Sequence, residues 1–257
     1  MKKMNWNLLV LSLLGLSLSS CNGKGIFSFE ESLTFKGDPI LNFDGSQQEQ
    51  RAYWASNGYS NSGMFLSFWK KEAVQIKDGL AALSLYEENN QNVGSEIRTT
   101  QGYLYGYYGT RMKTFKKSGT VQSFFTYNGG RYAHDEIDIE FLGKDTTKVQ
   151  FNYYHNGVGG HEYWYSLGFD SSEDFHDYGF LWEEKKITWF VDFKPVYALE
   201  AELPQWGYIF ANVWAGQPSV YSWLGSYEKD DQKYTAYYDY FTYAEAPAQS
   251  EKPSSNS

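Results

Sequence analysis

The chain has 257 residues, a length that one β-sandwich domain can fill. Aromatic residues make up 19% of the sequence and only 6 prolines are present, which excludes a collagen-like or wholly disordered chain. The formal net charge of -9 argues against nucleic acid as a partner, because an acidic protein repels the phosphate backbone. The single cysteine, Cys21, excludes an intrachain disulfide.

The first residues have the pattern of an export signal. Two lysines precede an apolar run over residues 8–18, which is short for a membrane-spanning helix. The sequence then reads Leu18-Ser-Ser-Cys21, which resembles the bacterial lipobox, where cleavage precedes a lipidated cysteine. An ordinary signal peptide is the alternative. We predict a lipoprotein signal peptide over residues 1–20, a tether over 21–26, and an exported protein that contacts a membrane only through a lipid on Cys21.

The rest of the chain divides into a folded body and a tail. Residues 244–257 lack apolar periodicity and predict a disordered tail. The body, 27–243, shows neither an internal linker nor a repeat and predicts one domain. Antiparallel strands with glycine-rich turns and no alternating helices indicate an all-β sandwich of two packed sheets. A period-two alternation of apolar and polar residues predicts strands that include 121–127, 149–154, 187–193 and 208–214.

Three acidic residues alternate with apolar residues near the middle of the chain. In a strand, Glu136, Asp138 and Glu140 share one face, and the apolar residues between them share the other. A solvated strand that carries charge to block edge pairing is the structural alternative. Because like charges on one face destabilise a strand, we expect a functional gain that offsets the repulsion.

Closely spaced carboxylates acquire different pKa values, so one can act as an acid while another stays ionised. Glycoside hydrolysis uses such a pair, and aromatic side chains stack on the apolar faces of sugar rings. The Cα atoms of Glu136 and Glu140 would lie about 13 Å apart along a strand. Their side chains could lean together to the ~5–5.5 Å typical of retaining enzymes. The strand rise alone does not distinguish a retaining from an inverting enzyme.

The five residues 143–147 predict a hairpin loop between two strands. Pairing Leu142 with Lys148 then places polar side chains opposite the three acids. A loop one residue longer or shorter would turn these polar side chains to the other face. The expected pairs are Glu140 with Gln150, Asp138 with Asn152, and Glu136 with Tyr154.

The segment 136–154 and the following Asn156-Gly-Val-Gly-Gly-His-Glu162 resemble glycoside hydrolase family 16, and within it the bacterial lichenases, which are endo-1,3-1,4-β-glucanases. The Glu-x-Asp-x-Glu spacing is shared by lichenases and by plant xyloglucan-active members. Weaker similarity extends over nearly the whole body. It covers Tyr59-Ser-Asn61, Ser95-Glu-Ile-Arg98, 119–127, Asn212-Val-Trp214 and Trp223-Leu-Gly-Ser226.

This resemblance implies a β-jelly-roll of two curved antiparallel sheets with an open cleft on the concave face. It also implies a retaining double displacement, with Glu136 as nucleophile, Glu140 as general acid and then base, and Asp138 sharing a proton or hydrogen bond between them. The expected partner is mixed-linkage 1,3-1,4-β-glucan, cleaved by a monomer that needs no cofactor for catalysis. The expected cleft residues are Asn61, Glu96, Arg98, Phe125, Tyr127, Asn152, Tyr154, Asn212, Trp214 and Trp223.

Several features leave alternatives open. His134 stands where lichenases usually have tryptophan, and is either a flanking loop residue or a subsite residue. Glu96 and Arg98 are either cleft residues or a surface ion pair. The resemblance implies a structural calcium ion held largely by backbone carbonyls and one Asp, which maps to Gly79 and Asp239. A xyloglucan-active hydrolase or transglycosylase, suggested by the string around His134, and a non-catalytic glycan-binding lipoprotein are the rival functions.

Overall fold

The computed structural model describes residues 39–47, 49–130 and 134–245. The predicted signal peptide, the tether and the lipidation site Cys21 lie outside the described residues. Within the described part, no helix is long and apolar enough to cross a membrane.

The described part of the chain contains fifteen strands and one short α-helix. The helix, α1, spans Tyr221–Leu224. The strands are β1 (Tyr53–Ala55), β2 (Phe68–Trp69), β3 (Val74–Lys77), β4 (Leu80–Glu88), β5 (Gln91–Tyr103), β6 (Gly106–Lys113), β7 (Thr120–Tyr127), β8 (Glu136–Leu142), β9 (Lys148–Tyr154), β10 (Tyr163–Ser166), β11 (His176–Glu183), β12 (Lys186–Val191), β13 (Lys194–Glu200), β14 (Gly207–Ala215) and β15 (Tyr234–Glu245).

The strands form two layers that are continuous through β4 and β5. The first sheet runs β10-β9-β8-β7-β14-β5, and β1 pairs with the far side of β5. The second sheet runs β4-β15-β6-β11-β12-β13, and β3 pairs with β4. Apart from the short parallel contact of β2 with β5, all these pairs are antiparallel. Neighbours such as β7 and β14 are distant in sequence, as in a jelly-roll. The predicted all-β jelly-roll is confirmed.

The core lies between the two sheets. Ring centroids of Phe141 and Tyr178 lie 4.7 Å apart, and those of Phe151 and Trp189 lie 5.6 Å apart. All four rings are buried, and each pair joins one sheet to the other. Trp189 Nε1 also donates a hydrogen bond of 3.1 Å to the carbonyl oxygen of Asp138. The second sheet therefore supports the strand that carries the acidic residues.

Three predicted strands, 121–127, 149–154 and 208–214, are confirmed as β7, β9 and β14. The fourth, predicted over 187–193, is shorter than expected. It ends at Val191, and Asp192 and Phe193 form the turn to β13 with φ angles of 47° and 62°. Two consecutive positive φ angles are typical of a two-residue type I′ hairpin turn. Phe193 continues the apolar alternation, so the pattern alone placed it in the strand.

The folded body also extends beyond the predicted boundary at Tyr243. Ala244 and Glu245 belong to β15, where they pair with Tyr107 and Gly106 of β6. Backbone pairing to β6 therefore orders two residues that composition assigned to the tail. The remainder of the predicted tail lies outside the described residues.

Candidate active site

The three acidic residues of β8 lie on the face of the first sheet that points away from the second sheet. Ile137 and Ile139, which alternate with them, are fully buried between the sheets. Asp138 is only 4% exposed although it points outward, while Glu136 and Glu140 are partly exposed. The outer face is therefore recessed along β8. We term the outward face of the sheet formed by β5, β14, β7, β8, β9 and β10 the cleft face.

β8 pairs with β9 in the register that the five-residue loop predicted, which confirms that prediction. Residues directly opposite each other in antiparallel strands point to the same face. Each acid therefore has a neighbour on both sides within the cleft face. Glu136, Asp138 and Glu140 lie opposite Tyr154, Asn152 and Gln150 of β9, and opposite Tyr127, Phe125 and Ser123 of β7.

Glu140 is held by a short chain of hydrogen bonds. Gln150 Nε2 donates to Glu140 Oε2 at 2.8 Å, and Trp223 Nε1 donates to Gln150 Oε1 at 2.9 Å. The indole thus fixes which end of the amide faces the carboxylate. Burial, with the charge of Glu136 second, raises the pKa of Glu140 to about 8. Glu140 therefore carries a proton at neutral pH and can act as an acid.

Asp138 lies between the two glutamates. Burial first, and then the charges of Glu136 and Glu140, raise its pKa well above the ordinary value. It also shares a side-chain hydrogen bond with Glu136. A carboxyl group that stays neutral can donate a hydrogen bond to a neighbouring carboxylate. The geometry therefore agrees with the intermediate position that the sequence assigned to Asp138.

Glu136 contacts His134 at the other end of the row. His134 Nε2 hydrogen-bonds to Glu136 Oε2, and this bond raises the pKa of His134 above its ordinary value. The imidazole lies parallel to the Tyr154 ring at 5.2 Å and meets Tyr127 edge-on at 4.8 Å. His134 is therefore packed against Glu136, an arrangement beyond the two alternatives that the sequence left open.

A second polar chain lies on the β5 side of the cleft face. Ser56 Oγ donates to Glu96 Oε1 at 2.6 Å, and Asn212 Nδ2 donates to Glu96 Oε2 at 3.2 Å. Ser123 Oγ donates to Asn212 Oδ1 at 2.6 Å and so links this chain to β7. Burial raises the pKa of Glu96. Glu96 and Asn212 therefore lie on the cleft face, in the same register row as Glu140.

Arg98 is sandwiched between aromatic rings. Its guanidinium carbon lies 5.0 Å from the Trp54 ring centroid and 4.3 Å from that of Tyr208. Arg98 Nη1 donates to the carbonyl oxygen of Thr99 at 3.2 Å, and Glu96 is buried, so the two do not form a surface ion pair. Stacked guanidinium and ring groups of this kind are worth about 0.5–2 kcal/mol. The exposed Trp54 ring therefore packs on this cation at the edge of the cleft face.

Three further predicted cleft residues, Phe125, Trp214 and Asn61, differ in burial. Phe125 stacks on Phe210 at 5.0 Å and forms floor, since it is 9% exposed. Trp214 is 3% exposed and packs under Trp223 at 6.2 Å, so it supports the cleft instead of presenting a ring to it. Asn61, which is exposed, accepts a hydrogen bond of 3.1 Å from Trp69 Nε1.

The structure brings the predicted carboxylates and most of the predicted cleft residues onto one face, with Asn61 at its margin and Trp214 buried beneath Trp223. It adds residues that the sequence did not select, because their partners are distant along the chain. The strand alternation itself could have identified Phe210 and Trp164 once the strand order was known. The added residues are Trp54, Ser56, Ser123, Trp164, Tyr208 and Phe210.

The one carboxylate of the expected calcium site, Asp239, is paired with an arginine. Arg111 Nη1 donates to Asp239 Oδ2 at 2.9 Å, and Arg111 Nε lies 4.0 Å from Asp177 Oδ2. Gly79 can supply only a backbone carbonyl. No group of three or more metal-ligating side chains occurs in the described part of the chain. A guanidinium at the carboxylate opposes a second cation, so the residues present do not fit calcium. Calcium at Gly79 and Asp239 is therefore an expectation from the resemblance that no contact in the structure tests, and the Arg111 contact argues against it.

Comparison with known proteins identifies the family. The model of glycosyl hydrolases family 16 matches residues 61–240. A β-glucanase of Paenibacillus polymyxa is 42% identical, and the alignment covers 95% of this chain and 98% of that protein. A β-glucanase of Acetivibrio thermocellus is 44% identical over 81% of this chain, which spans 65% of that longer protein.

A solved structure shares the architecture. It is a prokaryotic β-1,3-1,4-glucanase (lichenase) derived from a mouse hindgut metagenome, with 43% identity and a TM-score of 0.74. The match covers 79% of this chain and 96% of that chain. The family match extends over most of the sequence and includes the whole of β8 with its acids. The chain is a member of glycosyl hydrolases family 16.

Proposed function

We propose that this glycosidase cleaves mixed-linkage 1,3-1,4-β-glucan internally and with retention of anomeric configuration. One observation carries the proposal. Glu136 and Glu140 project from the same strand into one recess, where Glu136 is bonded to His134 and Glu140 has a raised pKa. An ionised carboxylate beside a protonated one is the pair that a retaining enzyme requires.

In the first step, Glu136 attacks the anomeric carbon and forms a glycosyl ester. Glu140 donates its proton to the departing glycosidic oxygen, so the leaving sugar departs as an alcohol. The hydrogen bond from His134 stabilises Glu136 as the ionised nucleophile before attack. As the charge of Glu136 is consumed in the ester, Asp138 loses the neighbour that most raises its pKa after burial.

In the second step, Glu140 acts as a base. It takes a proton from water, the resulting hydroxide attacks the same carbon, and Glu136 is released as a carboxylate. The hydrogen bond from Gln150 favours the ionised form of Glu140 that this step needs. Two inversions at one carbon restore the original configuration.

The breadth of the cleft face supports a polymeric substrate. Glu96, Asn212, Ser123, Glu140 and Gln150 occupy one register row on five neighbouring strands. At ~4.8 Å per strand this row extends about 19 Å along the sheet. Polar side chains along such a row suit the hydroxyls of successive sugars. The β-glucanase names of the relatives support the choice of glucan.

Replacement of Glu136 tests the mechanism. In Glu136→Gln we expect kcat on barley-type mixed-linkage glucan to fall by at least about a thousandfold, because an amide cannot form the glycosyl ester. Glu200→Gln, at an exposed position of β13, is the matched control and should keep wild-type activity. Activity of Glu136→Gln near the wild-type level would contradict the nucleophile assignment.

Product analysis tests the substrate and the stereochemistry. Wild-type protein is assayed in parallel on mixed-linkage glucan, laminarin and xyloglucan, with the anomer of the first product followed by NMR. We expect the highest kcat/KM on mixed-linkage glucan and an initial β-anomer. Preference for xyloglucan would replace the proposed substrate, and an initial α-anomer would replace the retaining mechanism.

We also infer that the protein is an exported, monomeric lipoprotein anchored through Cys21. The lysines, apolar run and lipobox-like string at the N-terminus support this inference. Incorporation of labelled palmitate into the wild-type chain but not into Cys21→Ser is the expected result. Equal labelling of both chains, or none of either, would exclude the anchor.

A further inference from the structure

The outermost strand of the first sheet carries an exposed tryptophan on the cleft face. Trp164 of β10 lies opposite Gln150 of β9, which in turn lies opposite Glu140. Opposite residues share a face, so Trp164 continues the row that contains Glu140. Trp164 is 42% exposed, so its indole is open to a ligand on the cleft face.

The neighbours of Trp164 on β10 confirm its direction. Tyr163 stacks on Tyr197 of the second sheet, with centroids 3.8 Å apart and rings nearly parallel at 1°. Tyr165 lies alongside Phe151, a core residue between the sheets. Because side chains alternate along a strand, Trp164 points to the opposite face. The sequence Tyr-Trp-Tyr therefore presents one ring to the cleft and two to the core side.

Trp164 forms one wall of a surface hollow of about 270 Å³. Leu142 lies at its base, and Lys144, Asp145 and Lys148 complete the lining. Lys148 Nζ lies 3.0 Å from Asp145 Oδ2, and Lys144 Nζ donates to the carbonyl oxygen of Trp223. An apolar ring beside charged donors and acceptors matches the apolar face and the hydroxyl edge of a pyranose.

We propose that Trp164, Asp145 and Lys148 form a distal sugar subsite that binds the same β-glucan chain beyond the residues at the point of cleavage. Trp164 lies two strands from Glu140, about 10 Å along the sheet. Trp54 lies on the other side of the carboxylates, on β1 beyond β5. A glucan chain bound over Glu136 and Glu140 and extended toward β10 reaches the Trp164 ring. This inference rests on the proposed function and adds a substrate-length requirement to it.

The test compares mixed-linkage gluco-oligosaccharides of increasing length with the purified full chain. In wild-type protein, kcat/KM should rise once an oligosaccharide is long enough to reach Trp164. In Trp164→Ala this gain with length should fall about three- to tenfold, as expected for loss of one aromatic contact. Trp164→Phe, which keeps a ring, should retain part of the gain and guards against a folding defect in the alanine variant.

Tyr163→Ala is the matched control, because Tyr163 lies on the same strand with 37% exposure but faces the second sheet. It should keep the wild-type dependence on length. An unchanged gain in Trp164→Ala, or an equal loss for short and long oligosaccharides, would overturn the distal subsite while leaving the proposed function intact. Failure of wild-type protein to hydrolyse any β-glucan would instead overturn the proposed function, and the subsite with it.

Discussion

Glu140 accepts a hydrogen bond from the Gln150 amide, which in turn accepts one from the indole of Trp223. The amide favours the ionised carboxylate, whereas burial favours the neutral form. Glu140 must be protonated to act as the acid and ionised to act as the base. A pKa raised by burial but limited by one hydrogen bond allows both forms to be reached near neutral pH.

Gln150→Met should therefore move the pH profile to higher pH. A hydrogen bond worth about 0.5–1.5 kcal/mol corresponds to a pKa change of ~0.4–1 unit. Without it the pKa of Glu140 rises, so the alkaline limb of kcat/KM, where the acid loses its proton, shifts upward by that amount. Trp223→Phe leaves the amide in place and should give a smaller shift. A shift of either limb to lower pH in Gln150→Met would contradict this assignment.

The pair of His134 and Glu136 should contribute a pH-dependent part of stability. The pKa of His134 is raised in the folded protein, so the contribution is complete below about pH 6.5, the ordinary His value. It is lost as pH rises through the raised pKa. Other groups near the imidazole are Asp135, Tyr127 and Tyr154. Because the side chain is 35% exposed, the contribution is below about 1 kcal/mol.

Urea unfolding of wild type and His134→Gln at about pH 6 and about pH 9 measures this contribution. The difference in unfolding free energy should be larger at the lower pH, since glutamine keeps a hydrogen bond but not the charge. An equal difference at the two pH values would show that His134 acts as a neutral packing residue. In that case its contact with Glu136 would carry no ionic component.

At the scale of the strand, β8 is specified by local alternation and by its loop. The outward acids and the inward apolar residues were predictable because side chains alternate strictly along a strand. The pairing with β9 was predictable because the loop length determines which residues of the two strands lie opposite each other. The contacts of Glu96 with Ser56 and Asn212 were not, because they join residues 40 and 116 positions apart. Such contacts depend on the order of strands in the sheet, which one alternating pattern does not determine.

Core packing beneath β8 should stabilise the fold and hold the acidic residues of β8 in position. Ile139 is fully buried between Asp138 and Glu140 in sequence, and truncation leaves a cavity against the second sheet. Ile139→Ala should lower the unfolding free energy by roughly 2–5 kcal/mol. Val158→Ala removes apolar carbon at a position 65% exposed and should change it by less than about 0.5 kcal/mol. Equal losses in the two variants, measured by chemical denaturation, would contradict this account of the core.

At the scale of the whole molecule, Arg111 links β6 to β11 and β15 through Asp177 and Asp239. The guanidinium contacts the one carboxylate that the family resemblance assigned to calcium. Treatment with EDTA should therefore leave the melting temperature unchanged, and added Ca²⁺ should not raise it. A rise of several degrees with excess Ca²⁺ would show binding to the folded state and restore the calcium site. Mg²⁺ at the same ionic strength is the control for a general salt effect.

Intrinsic fluorescence of the tryptophans at the two ends of the cleft face can report ligand binding. Trp54 is 62% exposed and Trp164 is 42% exposed, whereas Trp69, Trp182 and Trp189 are fully buried. A polymer laid over the open indoles would remove them from water and leave the buried three unaffected. A blue shift of the intrinsic emission on titration therefore reports occupancy of the outer positions without a label. Single replacements of Trp54 or Trp164 would assign the signal to one end.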